Sequence, residues 1–261
     1  MSCFVIQASN TSEAWMKAVR RLLDCGGECF SLMAEIANPT QTEAAIHGAY
    51  EQLLADYCLL TVKQVVYTVF PVSLYNKPQV ARNASRLFEA YNRKGGVFDR
   101  LQSRYPRKMG WGSYFRRLTH YPAVDKNGRV VTINQLERTI EMLRTRQRTH
   151  KAAYTLLIQI PGIDGSRTIG GPCLNYLALQ LEKPRVLNCL AVYRNHDFIQ
   201  RAYGNYLALG HLMQFLCDQT DHSLGRLSCL SSHASIKNLR GSRSWPSIRE
   251  VEQATRELFT T

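Results

Sequence analysis

Hydrophobic residues recur at helical spacing near the beginning of the chain. The stripe is formed by Trp15, Ala18, Val19, Leu22 and Leu23. Asn10, Thr11 and Ser12 precede it as N-cap candidates, and the Cys-Gly-Gly sequence at 25–27 is typical of a helix end. The pattern predicts a helix that packs on a core and carries no chemistry.

Other segments of the first half also have scaffold patterns. We predict a strand in FSLMAEIANP (30–39), a helix in TEAAIHGAYEQLLADY (42–57) and an apolar segment in VKQVVYTVFPVSLY (62–75) that Pro71 interrupts. Further along, INQLERTIEMLRTR (133–146) predicts an amphipathic helix. Its apolar face consists of Leu136, Ile140 and Leu143.

Strand patterns dominate the second half of the chain. They are AAYTLLIQIP (152–161), LNYLALQLE (174–182), VLNCLAVY (186–193) and GRLSCLSSHA (225–234). The segment between the last two, GNYLALGHLMQFLCDQ (204–219), is apolar on nearly every side and predicts a buried central helix. We therefore expect an α+β protein in which a mixed sheet packs against helices, with one domain over 1–261 because no linker divides the chain.

Composition and charge narrow the class of protein. The chain has 261 residues, 45% hydrophobic and 20% charged, which is an ordinary globular balance. Its eight cysteines lie inside apolar segments, no signal peptide is recognised, and no run of about 18 apolar residues occurs. These features predict a cytoplasmic protein with no membrane partner. The net charge of +13 favours anionic partners such as nucleotides, polyglutamate tails or nucleic acid.

Cys173 is the first candidate for chemistry. It follows Gly-Gly-Pro and begins a predicted strand, so the backbone would hold its thiol in a fixed direction. Free cysteines are, however, often simply buried in cores. A reactive thiol needs a cationic neighbour that lowers its pKa.

A dense polar cluster supplies candidate neighbours. The segment YRNHDFIQRAYGNY (193–206) lies between a predicted strand and the buried helix. Polar groups at such a junction are costly unless they bind a ligand or one another. A solvated loop, a self-satisfied network and a ligand site all remain open.

Three segments of the second half follow one another in a specific order: GGPCLNYLALQLE (170–182), LNCLAVYRNHDFIQRAYGNYLALGHLMQFL (187–216) and GRLSCLSSHAS (225–235). This order resembles the thymidylate synthase and pyrimidine-nucleotide hydroxymethylase family. In that family a Pro-Cys begins a strand, the next strand ends in Arg-Ser-x-Asp, an Asn lies eight residues later, and a His occurs on a later strand. The matching positions are Cys173, Arg194, Asn195 in the Ser position, Asp197, Asn205 and His233.

The resemblance continues upstream. GWGSYFRRL (110–118) is similar to the family's Gly-x-x-Tyr-Gly-x-x-Trp segment, and NQLERTIEMLRTRQRTHKAAYTLLIQIP (134–161) to a helix leading into a strand with two arginines. The similar region spans about 104–236. The resemblance implies a thymidylate synthase-like domain.

The resemblance also implies a mechanism. Cys173 would add to C6 of a pyrimidine nucleotide, which activates C5 for transfer of a one-carbon group from 5,10-methylenetetrahydrofolate. Arg194 would bind the phosphate and favour the thiolate, Asn195 would help to bind the nucleotide, and Asn205 would read the base. His233 would contact the sugar and Asp197 would hold the pterin. The family's arginine pair reaches across a homodimer interface and aligns here with His150 and Lys151, so Lys151 would contact the partner's nucleotide.

Several family residues differ in this chain. Leu174 replaces the His after the catalytic Cys, and Ser235 replaces a Tyr. The upstream Glu that organises proton transfer corresponds either to Glu51 or, by element order, to Tyr67 or Thr68. These differences leave open methylation, hydroxymethylation and nucleotide binding without catalysis.

Nucleic-acid binding and metal binding are two other classes of function that the basic runs and the cysteines could indicate. The run RYPRKMGWGSYFRR (104–117) could stack on and neutralise a single strand, which is the alternative of a basic nucleic-acid-binding protein. CGGEC at 25–29 lacks zinc-ligand spacing, so we predict no metal site.

Overall fold

The computed structural model describes residues 4–105, 110–145, 151, 154–165, 171–182, 185–238 and 244–256. The strands are β1 (Phe4–Asn10), β2 (Glu28–Asn38), β3 (Tyr121–Val124), β4 (Val130–Ile133), β5 (Tyr154–Leu157), β6 (Leu174–Glu182), β7 (Val186–Tyr193), β8 (His196–Asp197) and β9 (Ser223–Ser235). The helices of the first half are α1 (Thr11–Asp24), α2 (Ala44–Asp56), α3 (Val62–Val69), α4 (Val72–Tyr75), α5 (Ala84–Asn92), α6 (Val97–Arg104) and α7 (Tyr114–Thr119). They are followed by α8 (Gln135–Thr145), α9 (Pro161–Asp164), α10 (Ala202–Thr220) and α11 (Ile248–Arg256).

The main sheet is mixed. Its strand order is β1-β2-β9-β7-β6-β5, and β8 pairs with β9 off this path. β1 is parallel to β2, and both β7 and β8 are parallel to β9, whereas the β2–β9, β6–β7 and β5–β6 pairs are antiparallel. β3 and β4 form a separate two-stranded sheet. The prediction of an α+β fold with a mixed sheet and helices is therefore confirmed.

Helices cover one face of the sheet. Alternate residues of the central strands are buried on that face, among them Leu32, Ala34, Leu227, Cys229, Leu187 and Ala191. α1 packs against β1 and β2, and α10 packs against β7 and β9. The predicted central helix is confirmed as α10, which carries buried residues around most of its circumference.

The boundaries of α1 follow the predicted capping chemistry. The Asn10 side chain accepts the backbone N–H of Glu13 at 2.9 Å, as an N-cap does. The chain then leaves the helix through Gly26 and Gly27, whose φ values of +70° and +96° are readily adopted by residues without a Cβ. Both predicted ends of this helix are confirmed.

Other elements were outside the sequence predictions. The apolar segment 62–75 forms α3 and α4, the predicted strand beginning at 30 starts at Glu28, and β1 was not recognised as a strand. The predicted apolar face of α8 is buried as expected. Among the described residues, no helix combines the length and apolarity that crossing a bilayer requires.

Candidate functional site

Cys173 lies directly before β6, and two other segments hold its backbone. The Tyr114 hydroxyl accepts the amide of Cys173 at 3.3 Å and, more weakly, that of Leu174 at 3.5 Å. Directly after the neighbouring strand β7, the Arg194 amide donates to the Cys173 carbonyl at 2.9 Å. The side chain of Cys173 is partly exposed. The backbone of Cys173 is therefore held by Tyr114 on one side and by Arg194 on the other.

A buried ion pair fixes the helix that carries Tyr114. Arg117 and Asp164 form two parallel hydrogen bonds of 3.0 Å, and both residues are buried. Arg117 Nε also donates to the Trp111 carbonyl at 2.9 Å. This bidentate ion pair attaches α7 to α9, the short helix after β5, and so determines where the Tyr114 hydroxyl meets the start of β6.

Tyr114 is also electrostatically linked to the thiol. Burial raises the pKa of Tyr114 to about 12, and the neighbouring Cys173 acts in the same direction because two anions would repel each other. The phenol therefore remains protonated at neutral pH. It can hydrogen-bond to the β6 amides without adding a charge beside the thiol.

Tyr193 supplies a second hydroxyl in the same region. It is the last residue of β7, its side chain is fully buried, and its hydroxyl has no hydrogen-bond partner among the described residues. Burial raises the pKa of Tyr193 well above its usual value, with smaller effects from Cys229, Tyr114, Tyr206 and Cys173. A buried hydroxyl without a partner costs about 1–3 kcal/mol, which makes it a candidate for ligand contact.

Arg194 contacts the segment around Cys173 through its side chain as well as its backbone. Its Nε donates to the Pro172 carbonyl at 3.2 Å, so the guanidinium folds back over the peptide that precedes the cysteine. Arg194 is partly buried. Arg194 thus holds both the Pro172 and the Cys173 carbonyls.

Asn205 participates in a buried chain of hydrogen bonds. Its Nδ2 lies 3.1 Å from His196 Nε2, and His196 Nδ1 lies 2.9 Å from the Ser231 hydroxyl. Asn205 is only 4% exposed, and burial lowers the pKa of His196 from 6.5 to about 3. The imidazole is therefore neutral. Asn205, the predicted base reader, therefore contacts His196, for which the sequence analysis predicted no role.

Asn195 and His233 form a different cluster at the end of β9. His233 Nδ1 lies 2.9 Å from Asn195 Oδ1, and its Nε2 lies 3.2 Å from Glu28 Oε2. Lys237 donates to the other Glu28 oxygen at 2.6 Å, and this contact, followed by that of His233, lowers the pKa of Glu28. Both ring nitrogens of His233 already have oxygen partners. Contact with a sugar would replace one of them.

Asp197 caps the turn that leads into α10. Its Oδ1 accepts the amides of Ile199 and Gln200, each at 3.0 Å. These two bonds fix the carboxylate in orientation, and the adjacent Arg194 and Asn195 lie on the same short connection after β7. The carboxylate is thus positioned near the polar cluster rather than in solvent.

Lys151 is distant from Cys173 in the same chain. Its carbonyl accepts the amide of Leu181, near the far end of β6. Eight residues of extended strand separate Leu181 from Cys173, which is roughly 26 Å at about 3.3 Å per residue. The structure does not bring these two residues together within one chain. His150 lies outside the described residues.

The two alternatives for the upstream Glu occupy different helices. Glu51 lies on α2 and accepts the Val62 amide at 3.2 Å. On α3, Thr68 donates to the Val65 carbonyl, and burial raises the pKa of Tyr67.

Several arginines of the basic run 104–117 are used inside the protein. Arg117 forms the buried ion pair with Asp164, and Arg116 donates to Asn92 at 2.7 Å. Arg104 and the exposed Tyr105 are next to each other in a cation–π contact. Residues 106–109 lie outside the described residues. The nucleic-acid alternative therefore rests on fewer available cations than the sequence offered.

Sequence reasoning missed four residues of this region. Tyr114 lies in a segment that the family resemblance included, and His196 lies in the recognised polar cluster, but neither received a role. Tyr193 resembled an ordinary core residue. Glu28 had no local signal, because its contact with His233 joins residues 205 positions apart.

No known family model matches the chain, and no curated protein sequence matches it. The local geometry must therefore carry any functional inference.

Proposed function

We propose that this protein is a thymidylate synthase-like enzyme that transfers a one-carbon group to C5 of a pyrimidine nucleotide. The observation that carries the proposal is the anchoring of Cys173 by Tyr114 on one side and Arg194 on the other. The Arg194 side chain hydrogen-bonds to the carbonyl that precedes Cys173, and a cation on this segment would favour the thiolate of the partly exposed thiol.

The reaction begins with addition of the Cys173 sulfur to C6, which moves the C5–C6 π electrons toward C5 and O4. C5 then forms a bond to the donor's methylene carbon and loses its proton. The bond between the transferred carbon and the folate nitrogen would then break, with its electron pair leaving on the nitrogen, so that an exocyclic methylene forms on C5. Addition of hydride or water to this methylene would expel the Cys173 sulfur and restore the C5–C6 double bond. The folate supplies the one-carbon unit and, for methylation, the hydride; for hydroxymethylation, water supplies the oxygen.

Other residues of the chain bind and orient the two substrates. Arg194 binds the phosphate and stabilises the thiolate, and Asn205 reads the base. Asn195 and His233 act together on the sugar side, since they are already hydrogen-bonded. Asp197, fixed by two backbone amides, accepts from the pterin N–H groups.

A second copy of the chain would complete the site. The sheet face opposite the helices has a row of partly exposed apolar residues in register across four strands: Met33, Leu230, Val192 and Tyr176. Apolar surface of this kind on a sheet face favours association. A homodimer through this face would also explain how Lys151, remote from its own Cys173, serves a neighbouring nucleotide.

The dimer is tested by light scattering on the native protein and on Leu230→Glu. The native protein is expected at twice the chain mass and the variant at one chain mass with an unchanged circular dichroism spectrum. Val124→Glu, on the separate β3–β4 sheet where Val124 is 68% exposed, is the matched control. A native monomer would refute this part of the proposal.

The chemistry is tested by tritium release from C5-labelled dUMP, UMP, dCMP and CMP, with and without 5,10-methylenetetrahydrofolate. Release is expected from one base class, and Cys173→Ala should abolish it. Cys25→Ala, another partly exposed cysteine, should retain it. Full activity in Cys173→Ala would overturn the mechanism, and measurable nucleotide binding without release would leave a binding protein.

A further inference from the structure

The strongest unexplained feature of the site is the position of His196. Its imidazole lies parallel to the Tyr193 ring at a centroid distance of 4.0 Å and an interplanar angle of 3°. The edges of Phe198 and Tyr206 pack against it at 5.1 Å and 5.7 Å. His196 is 1% exposed. This aromatic cage fixes the plane of the ring, so the ring cannot turn to accommodate a different partner.

A neutral imidazole has one donor and one acceptor nitrogen. With the Asn205 amide placed so that Nδ2 faces His196 Nε2, the consistent tautomer has Nε2 as acceptor and the proton on Nδ1. The Nδ1–H then donates to the Ser231 hydroxyl, which is fully buried. The three side chains thus share one consistent direction of hydrogen bonding.

The reverse direction is the only other consistent arrangement. It requires the proton on Nε2, the Asn205 oxygen toward the ring and the Ser231 hydroxyl as donor. The orientation of the Asn205 amide is therefore coupled to the tautomer of His196. No other described side chain hydrogen-bonds to the Asn205 amide.

Amide orientation matters because uracil and cytosine differ by exchange of donor and acceptor. Uracil offers N3–H and O4, whereas cytosine offers an unprotonated N3 and an N4 amino group. A fixed amide complements one of these edges and opposes the other. A mismatched edge leaves polar groups unpaired in a buried site.

We propose that His196 is a specificity-determining positioning residue, whose tautomer fixes the Asn205 amide and thereby selects between uracil and cytosine nucleotides. This inference rests on the proposed function, since it assumes that Asn205 faces the base. His196 itself touches no substrate. It acts through Asn205, and the Ser231 hydroxyl supplies the acceptor for the Nδ1 proton.

The tautomer is measured first, because that measurement does not depend on ligand or catalysis. Long-range ¹H–¹⁵N spectra of the native protein should show His196 as the neutral Nδ1–H form. In Ser231→Ala, which removes the acceptor for that proton, the Nε2–H form should increase. A native Nε2–H tautomer, or an unchanged ratio in Ser231→Ala, would overturn the proposal.

Base selectivity is then measured by calorimetric titration with dUMP and dCMP. The native protein should prefer one base by about tenfold to hundredfold. His196→Phe keeps the ring in its cage but removes both nitrogens, so the two affinities should come within about threefold of each other. The ratio in Ser231→Ala should shift in the same direction as its tautomer. His211→Phe, on the same helix as Asn205, is the matched control and should retain the native ratio.

The outcomes separate this inference from the proposed function. Loss of tritium release with intact selective binding would refute the enzyme and leave the role of His196 standing. Tritium release with an unchanged base ratio in His196→Phe would refute the role of His196 alone. Absence of binding to either nucleotide would refute both.

Discussion

Removal of the Asp164 carboxylate should strongly destabilise the protein. Arg117 is 6% exposed and Asp164 4%, so their two 3.0 Å hydrogen bonds are shielded from water. Asp164 also accepts the Ile160 amide at 2.9 Å. Asp164→Ala would leave a buried guanidinium without its counter-ion and a backbone amide without its acceptor. Removing one partner of such a pair costs about 3–5 kcal/mol.

That loss is a large share of the 5–15 kcal/mol typical of a folded domain. It is measured by urea unfolding followed by circular dichroism, with the dependence on urea compared between variants. Glu252→Ala is the control, because the Glu252–Arg256 pair is exposed on both sides and should contribute no more than about 0.5 kcal/mol.

A double-mutant cycle tests the reason for the effect. Replacing both partners, as Arg117→Met with Asp164→Leu, removes the unpaired charge and should cost less than the sum of the single changes by about 1–3 kcal/mol. If Asp164→Ala costs less than about 1 kcal/mol, or if the single effects simply add, the ion pair does not hold α7 in place.

Two further predictions concern packing and acid stability. Gly210→Ala should destabilise the protein by about 1–3 kcal/mol, because the added Cβ would lie 2.5 Å from the Pro39 carbonyl oxygen. Gly48→Ala should instead stabilise it by up to about 1 kcal/mol, because no atom lies within 4 Å of the added Cβ. Thermal unfolding of both variants tests the contrast. The pKa of His196 falls from 6.5 to about 3 on folding, so its contribution to stability is complete above pH 6.5 and is lost as the pH falls toward 3, where only the unfolded chain takes up the proton. His196→Phe should therefore flatten the acid limb of a stability–pH curve by up to about 1.4 kcal/mol per pH unit, and an unchanged limb would contradict burial of the neutral ring.

The sequence predicted elements whose pattern is local. The stripe from Trp15 to Leu23 and the cap at Asn10 determine α1 within one short window, and the apolar run of α10 is recognisable without knowledge of its neighbours. Strand pairing is different, because hydrophobic alternation along β9 does not reveal that its partners are β2 and β7. Local periodicity therefore yields elements but not their order in the sheet.

The same contrast between local patterns and long-range contacts holds for the candidate site. Cys173, Arg194 and Asn205 were predicted from their match to the residue order of the family that the chain resembles. The contacts that define their surroundings join distant segments: Tyr114 meets Cys173 across 59 positions, and Ser231 meets His196 across 35. These contacts depend on the fold, so single-sequence reasoning had no basis for them.

The central position of β9 affects how the protein folds during its synthesis on the ribosome. β9 joins β2 to β7, yet it is translated after every other strand of the main sheet. Between the end of β2 at Asn38 and the start of β9 at Ser223, 184 residues (39–222) must be made, which takes roughly 10 to 40 s at common elongation rates. Until β9 emerges, β1–β2 and, once they have been translated, β5–β6–β7 are separate half-sheets with unpaired edges, so the nascent chain offers aggregation-prone surfaces that chaperones can shield.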